Sequence, residues 1–338
     1  MIAAENLVKE FKVYQRKAGL MGSLSTLFSR EHRLVRAVSG VSFEIPSGAK
    51  AAYIGANGAG KSTTVKLLTG IMRPTSGRCY VNGLEPYRER RRNAANIGVV
   101  FGQRSQLWWD LPVLDSFRIL RRIHEIPDAV YRRNMALYRK LLDLDALGNT
   151  PVRQLSLGQR MRAEVAASLL HDPKAVFLDE PTVGLDLVLK EAVRELINHV
   201  SSELGTTVML TSHDMGDITA ICDQVLVVNR GEVVHQSTMH DLLRTAESRA
   251  VIFEYRNGPP TEQAVALVQS RLDGASATVV DSVRIKVEYP AHRWSTREVM
   301  SLLIAHFDLI DCFAPEPDLE MVLRRIYTGR ADGRRASA

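Results

Sequence analysis

Apolar and polar positions follow two different periods along this chain, and the changes of period divide it. Residues 2–14 read as a first strand, with Phe11, Val13 and Tyr14 near its end. Residues 15–33 break that pattern with a mixture of basic and apolar residues and read as an insertion. From Val38, VSGVSFEIPSG alternates apolar and polar residues and closes on a Pro/Gly turn, which predicts a strand. AKAAYIG then leads into a glycine-rich loop, with a helix expected over 61–69. Between about 113 and 172 the spacing turns helical, in VLDSFRILRRI and YRRNMALYRKLLDL. From 174 short apolar runs return. KAVFLD, TTVMLTS and QVLVVNRG predict buried strands, and helices are predicted at 187–204 and over GDITAICD. Apolar strands separated by helices predict a mostly parallel sheet with covered faces, an α/β fold.

A boundary is expected near 245. Beyond it RAVIFEY, ATVVD and SVRIKVEYP predict short strands, while TEQAVALVQSRL and STREVMSLLIAHF predict helices. The order strand, helix, strand, strand, helix suggests a small α+β unit of ferredoxin-like type. The expected division is a first domain at 1–240, carrying a helical subdomain at about 104–172, a second domain at 245–328, and a disordered basic tail at 329–338.

Composition adds bounds rather than identity. The 338 residues are 45% hydrophobic and 24% charged, enough for one large domain and a smaller one. Forty-four basic against 38 acidic residues give +6, a balance that suits anionic ligands without selecting one. Cys79, Cys222 and Cys312 are far apart and show neither metal-ligand spacing nor a disulfide framework. The N-terminus does not read as a signal peptide. No run approaches the ~18 apolar residues of a membrane span. The arginine-rich 88–92 reads as a solvated face, with anionic lipid contact as the sharper alternative.

The chemistry concentrates in GANGAGKST at 55–63. Its glycines let backbone amides wrap around phosphate oxygens at a helix N-terminus. Lys61 is expected to reach the β- and γ-phosphates, Ser62 to ligate Mg²⁺, and Thr63 to add a phosphate contact. Four apolar residues from Ala175 lead into Asp179 and Glu180, so a strand should deliver two carboxylates beside the same crevice. Asp179 is expected to hold Mg²⁺ through water and Glu180 to polarise an attacking water. Adjacent strand residues point to opposite faces, which predicts separate jobs for the two.

LSLGQ at 155–159, followed by VFLDEPTVGLD at 176–186 and TSHD at 211–214, resembles the ATP-binding subunits of ABC transporters over roughly residues 1–240. Leu157 replaces a glycine of the family's usual LSGGQ. The resemblance implies a nucleotide site shared between two chains in a head-to-tail dimer. Gly55, Asn57, Gly58, Ala59, Gly60, Lys61, Ser62 and Thr63 come from one chain. Ser156, Gly158 and Gln159 come from its partner, with Asp186 linking the sites. It also implies His213 as the γ-phosphate switch and Gln103 as the glutamine that senses Mg²⁺ and the membrane partner, with Gln106 as the alternative. Phe11 matches the adenine-stacking aromatic, and Tyr14 competes.

The cofactors so implied are ATP and Mg²⁺. The implied partners are a second ATPase subunit and integral membrane permease subunits, at the cytoplasmic face of the cell membrane, and no nucleic acid is expected. The 15–33 insertion, the Trp108–Trp109 pair and the C-terminal unit resemble subunits of bacterial ABC-2 type exporters. The rivals are an importer ATPase and a soluble ABC ATPase of ribosomes or DNA. The second rival usually carries two such domains, inserted coiled coils or zinc motifs, and this sequence shows none of these.

Overall fold

In the computed structural model, residues 1–14, 32–102, 105–256 and 262–333 are described. They divide into two compact units, Met1–Met239 and His240–Ala338, with the boundary at the start of a short helix rather than near 245.

The first unit holds two sheets. β1 (Ile2–Tyr14) pairs antiparallel with β2 (His32–Ile45) on one side and β4 (Ser76–Val81) on the other. β2 begins at His32, six residues ahead of the expected Val38, because alternation is not needed for a strand that pairs along its length with β1. The predicted insertion therefore ends before His32, and the rest of it, 15–31, lies outside the described residues.

The second sheet runs β5 (Ile97–Val100), β6 (Ala175–Asp179), β7 (Thr207–Thr211), β3 (Lys50–Gly55), β8 (Gln224–Asn229) and β9 (Glu232–Thr238) in space. The first five are parallel, and β9 closes the edge antiparallel to β8. β7 is buried at every position, and β3 and β6 at all but one. Continuous apolar runs are what strands covered on both faces require.

Helices connect these strands: α1 (Lys61–Leu68), α2 (Arg90–Asn96), α3 (Val113–Ile123), α4 (Asp128–Leu142), α5 (Leu157–Leu169), α6 (Leu187–Leu204) and α7 (Met215–Ile221). α3, α4 and α5 form the helical stretch expected between β5 and β6. The sheet order places the C-terminal ends of β3, β6 and β7 side by side, each followed by a loop that carries a motif.

The second unit starts with α8 (Met239–Arg244) and continues β10 (Ser248–Tyr255), α9 (Glu262–Arg271), β11 (Ser276–Val279), β12 (Arg284–Pro290), α10 (Thr296–His306), β13 (Leu309–Phe313) and α11 (Leu319–Gly333). Its sheet is fully antiparallel in the order β11-β12-β10-β13. This is the split βαβ arrangement, completed by β13, a strand the sequence pattern did not announce. Val251, Phe253, Ile285, Val287 and Tyr289 alternate inward and pack with Val268, Val299 and Leu303 of the helices. α11 extends to Gly333, so the predicted tail is helical in its first part, and 334–338 lie outside the described residues.

Candidate functional site

A cleft of about 620 Å³ opens at those strand ends. The loop of residues 56–60, Lys61, Ser62 and Thr63 form its floor, and Asp179, Glu180 and His213 form one wall. The loop takes its shape from backbone constraints. Gly60 has φ +101°, and a Cβ there would lie 2.3 Å from the Ala37 carbonyl oxygen. Only glycine meets both conditions. α1 follows at once, so its free N–H groups and dipole face the cleft.

Lys61 folds back over this loop. Its Nζ donates to the Gly55 carbonyl at 2.5 Å and to that of Ala56 at 3.3 Å. Burial pushes its pKa down, and Glu180 and Asp179 oppose that shift. Ser62 Oγ lies 3.4 Å from Asp179 Oδ2, while Thr211 Oγ1 donates to Asp179 Oδ1. A hydroxyl and a carboxylate meeting at a phosphate loop are a hard-oxygen set of the kind Mg²⁺ prefers.

β6 ends at Asp179, and Glu180 turns into the left-handed region at φ +56° while its N–H donates to the Thr211 carbonyl. The expectation that strand alternation separates the two carboxylates is corrected here: Glu180 is not in the strand. A non-glycine residue held at positive φ costs of order 1–3 kcal/mol and recurs where a site fixes a side chain. Glu180 Oε1 lies 3.6 Å from His213 Nε2, and its Oε2 accepts from the His213 N–H at 3.4 Å. Burial raises the Glu180 pKa, partly offset by His213. The cleft can therefore surround a polyphosphate and present a carboxylate of raised basicity beside it.

The loop bearing His213 is fixed from below. Asp217, fully buried, accepts from Arg194 Nη2 at 2.6 Å and Nε at 2.8 Å, and from Thr182 Oγ1. Asp214 caps α7 and pairs with Lys190 Nζ at 2.5 Å, which lowers its pKa. Sequence reasoning passed over this network, although Asp214 stands inside the TSHD segment.

Other predicted residues fall elsewhere. Ser156 is the exposed N-cap of α5, closed by a capping box in which its Oγ accepts from Gln159 N–H and Gln159 Oε1 accepts from Ser156 N–H at 2.9 Å. Gly158 is buried, and a Cβ there would meet the Gly184 carbonyl oxygen at 2.4 Å. Asp186 caps α6 by accepting from Leu189 N–H at 2.9 Å. Ser156, Gly158, Gln159 and Asp186 are not among the described residues lining the cleft.

Phe11 sits opposite Val35 with Lys9 Nζ 5.4 Å from its ring centroid, also outside the cleft lining. The apolar wall comes instead from Ala37, Ile71 and Phe101, which the sequence reading missed; Phe101 ends the apolar run IGVVF. The side chain of Tyr14, like Gln103 as a whole, lies outside what is described. Gln106 is tied to α5, its Nε2 donating to the Glu164 carbonyl at 3.1 Å.

Known proteins resemble this chain in sequence and fold. A family model described as ABC transporter matches residues 38–183. The methionine import ATP-binding protein MetN of Geobacillus kaustophilus is 30% identical, over 72% of this chain and 73% of its own. The Nod factor export ATP-binding protein I of Ralstonia nicotianae is 30% identical, over 72% of this chain and 75% of its own. Among solved structures, cbiO1 from Clostridium perfringens, part of the ABC transporter complex cbiONQ, aligns with a TM-score of 0.54 at 26% identity over 72% of this chain and 90% of its own. A dimeric ATP-binding cassette bound to ADP and Pi has the same fold, with a TM-score of 0.59 at 23% identity over 71% of this chain and 99% of its own. A phosphate-loop cleft, a strand-end carboxylate pair and a capped LSLGQ helix thus stand on the fold these proteins share, and the chain belongs to the ATP-binding, ATP-hydrolysing subunits of ABC transporters.

Proposed function

We propose that this chain drives an ABC-2 type exporter of small molecules by ATP-dependent closure of a head-to-tail dimer. The observation that carries the reading is the separation of two sets of groups. The cleft holds the phosphate loop, Asp179, Glu180 and His213, while Ser156 stands exposed at a helix N-terminus outside its lining, with Gly158 buried behind it. A helix N-terminus is an anion-binding end. In a two-fold pair each α5 can cover the other chain's cleft.

In this reading Lys61 leaves the loop carbonyls for the β- and γ-phosphates, and the amides of Asn57, Gly58, Ala59, Gly60, Ser62 and Thr63 cradle the remaining oxygens. Ser62 and Asp179 would hold Mg²⁺, which supplies charge neutralisation at the β- and γ-oxygens. Glu180 takes the proton of the attacking water as the water oxygen bonds to the γ-phosphorus and ADP leaves. His213 positions that water against the γ-phosphate. Gln159 and Asp186 act by holding their helix ends in place.

Among the described residues no helix is long and apolar enough to cross a membrane. The membrane-spanning subunits in this reading are therefore other chains, with this one at the cytoplasmic face. Trp108 and Trp109 are 37% and 51% exposed, and large aromatic anchors suit a helix-in-groove contact with such a subunit. The likeness to the Nod factor export protein supports export. The likeness to the methionine import protein, at the same identity, supports an importer as the second reading.

Three measurements test this. Glu180→Gln with ATP should run as a dimer in sedimentation velocity; a persistent monomer would overturn the composite site. Affinity purification from detergent-solubilised membranes should recover multi-span subunits, and recovery of ribosomes or nucleic acid would sink the transporter role. Transport by the recovered complex in inverted vesicles then separates export from import.

A further inference from the structure

The arginine run at 88–92 borders a second cavity, of about 530 Å³, between the loop that enters β4 and the turn that precedes α2. Arg73, Arg78 and Arg88 line it, with Pro74, Pro86 and the Tyr87 ring as apolar wall and Glu85 as the one carboxylate among the described lining residues. None of those residues also lines the nucleotide cleft.

The cations around this cavity are unevenly partnered. Glu85 Oε2 accepts from Arg88 Nε at 2.8 Å. Arg78 hydrogen-bonds Tyr80 and faces Glu5 across the β1–β4 pair. Arg73 and Arg90 differ from both. Each guanidinium carbon lies 6.0 Å from the centroid of the Tyr87 ring, and among the described residues neither side chain has an ion-pair partner. Lys9, whose Nζ donates to the Arg73 carbonyl at 2.9 Å, adds a further positive charge beside them. Tyr87 is 40% exposed, and its hydroxyl has no hydrogen-bond partner among the described residues.

Like charges gathered at one ring repel unless an anion lies among them. A cation–π contact uses the flat face of a guanidinium and leaves its N–H fork for an acceptor. Such a fork matches phosphate oxygens in pairs, and a phenol supplies one donor more. Glu85 lowers the field over the cavity, but it is spent on Arg88. The unspent donors are those of Arg73, Arg90 and Tyr87. The cavity is much larger than a bare phosphate, and its proline and tyrosine wall can take an organic body.

We propose that this cavity binds a phosphate ester, with Arg73, Arg90 and the Tyr87 hydroxyl on the phosphate oxygens and Pro74 and Pro86 against the organic part. A lipid headgroup and a soluble phosphate ester offer this same chemistry. The site depends neither on the direction of transport nor on the two-chain nucleotide site.

The test uses the full chain at physiological ionic strength with ADP in excess, which keeps other phosphate esters out of the nucleotide cleft. One probe is a vesicle of equal parts phosphatidylcholine and phosphatidic acid, read by co-sedimentation. The other is glycerol 3-phosphate, read by titration calorimetry. Binding of the vesicle alone identifies a lipid source, and binding of glycerol 3-phosphate identifies a soluble one; either supports the site. The double variant Arg73→Gln/Arg90→Gln should weaken the binding about tenfold or more. Tyr87→Phe should weaken it about threefold. Both should keep the parent's melting temperature and ATPase rate. Arg122→Gln/Arg132→Gln, which removes the same charge from exposed positions elsewhere, should bind as the parent does. Failure of the parent to bind either probe overturns the proposal. Equal loss in the two double variants also overturns it, because the attraction is then one of net charge. A fall in melting temperature that accompanies the loss of binding overturns it too, since the arginines then support the fold.

Discussion

In the cleft, Lys61, Ser62, Asp179, Glu180 and His213 face one another within a few ångströms, and several lie in contacts that a bound nucleotide would have to rearrange. At the start of α5, Ser156 and Gln159 close on each other and the end of the helix stays exposed. Both regions use a helix N-terminus, the first after the glycine turn at Gly60 and the second after the Ser156 cap. They differ in what meets the helix end. The cleft draws its lining from the ends of several strands of its own chain, whereas Ser156, Gly158 and Gln159 are not among the described residues that line it. One region is lined as a cleft and the other is left exposed, and on this difference the proposed two-chain site rests.

The largest effect is expected on the cleft side. Glu180→Gln removes the base while keeping size, so kcat should fall about 10²–10⁴-fold with ATP affinity retained, measured by steady-state hydrolysis and equilibrium binding. On the signature side, Ser156→Ala should lower kcat by about 10²-fold through the loss of one oriented hydroxyl, yet leave ATP binding to a single chain unchanged. Loss of its binding in the same assay would erase the distinction between the two regions. Gly158→Ala should cost about 1–3 kcal/mol in denaturant unfolding, because a new methyl would press on the Gly184 carbonyl.

A smaller effect is expected from pH. Glu180 must be ionised to accept a proton, and burial lifts its carboxyl above the usual range. Activity should therefore fall as pH drops through that raised value, with the acid limb of kcat above the ordinary carboxylate range. The residual activity of Glu180→Gln should show no such limb.

Legibility followed the range of the constraint. The phosphate loop was readable because Gly60 and Lys61 answer to local backbone geometry, and β6 because a fully covered strand must be apolar along its length. Glu180 was readable by position but not by conformation, since its left-handed turn depends on the Thr211 carbonyl of a neighbouring strand. The burial of Glu164 in α5 stayed hidden because a lone acid in an amphipathic helix normally marks a solvated face, and only tertiary structure brings Ser105 and Gln106 over it. Ile71 and Phe101 were missed for the same reason, as apolar residues give no local sign that they line a cleft. β13 was missed because its exposed Ile310 and Phe313 do not alternate cleanly with buried positions.

The central claim is that each working site joins the cleft of one chain to the signature end of another. The most direct measurement mixes two inactive variants: Lys61→Ala, which spoils only the cleft, and Ser156→Arg, which spoils only the signature end. Each alone should be inactive. In the mixed dimer one site pairs an intact cleft with an intact signature end, so ATP hydrolysis should reappear on mixing. A mixture no more active than the sum of its two components would contradict the account.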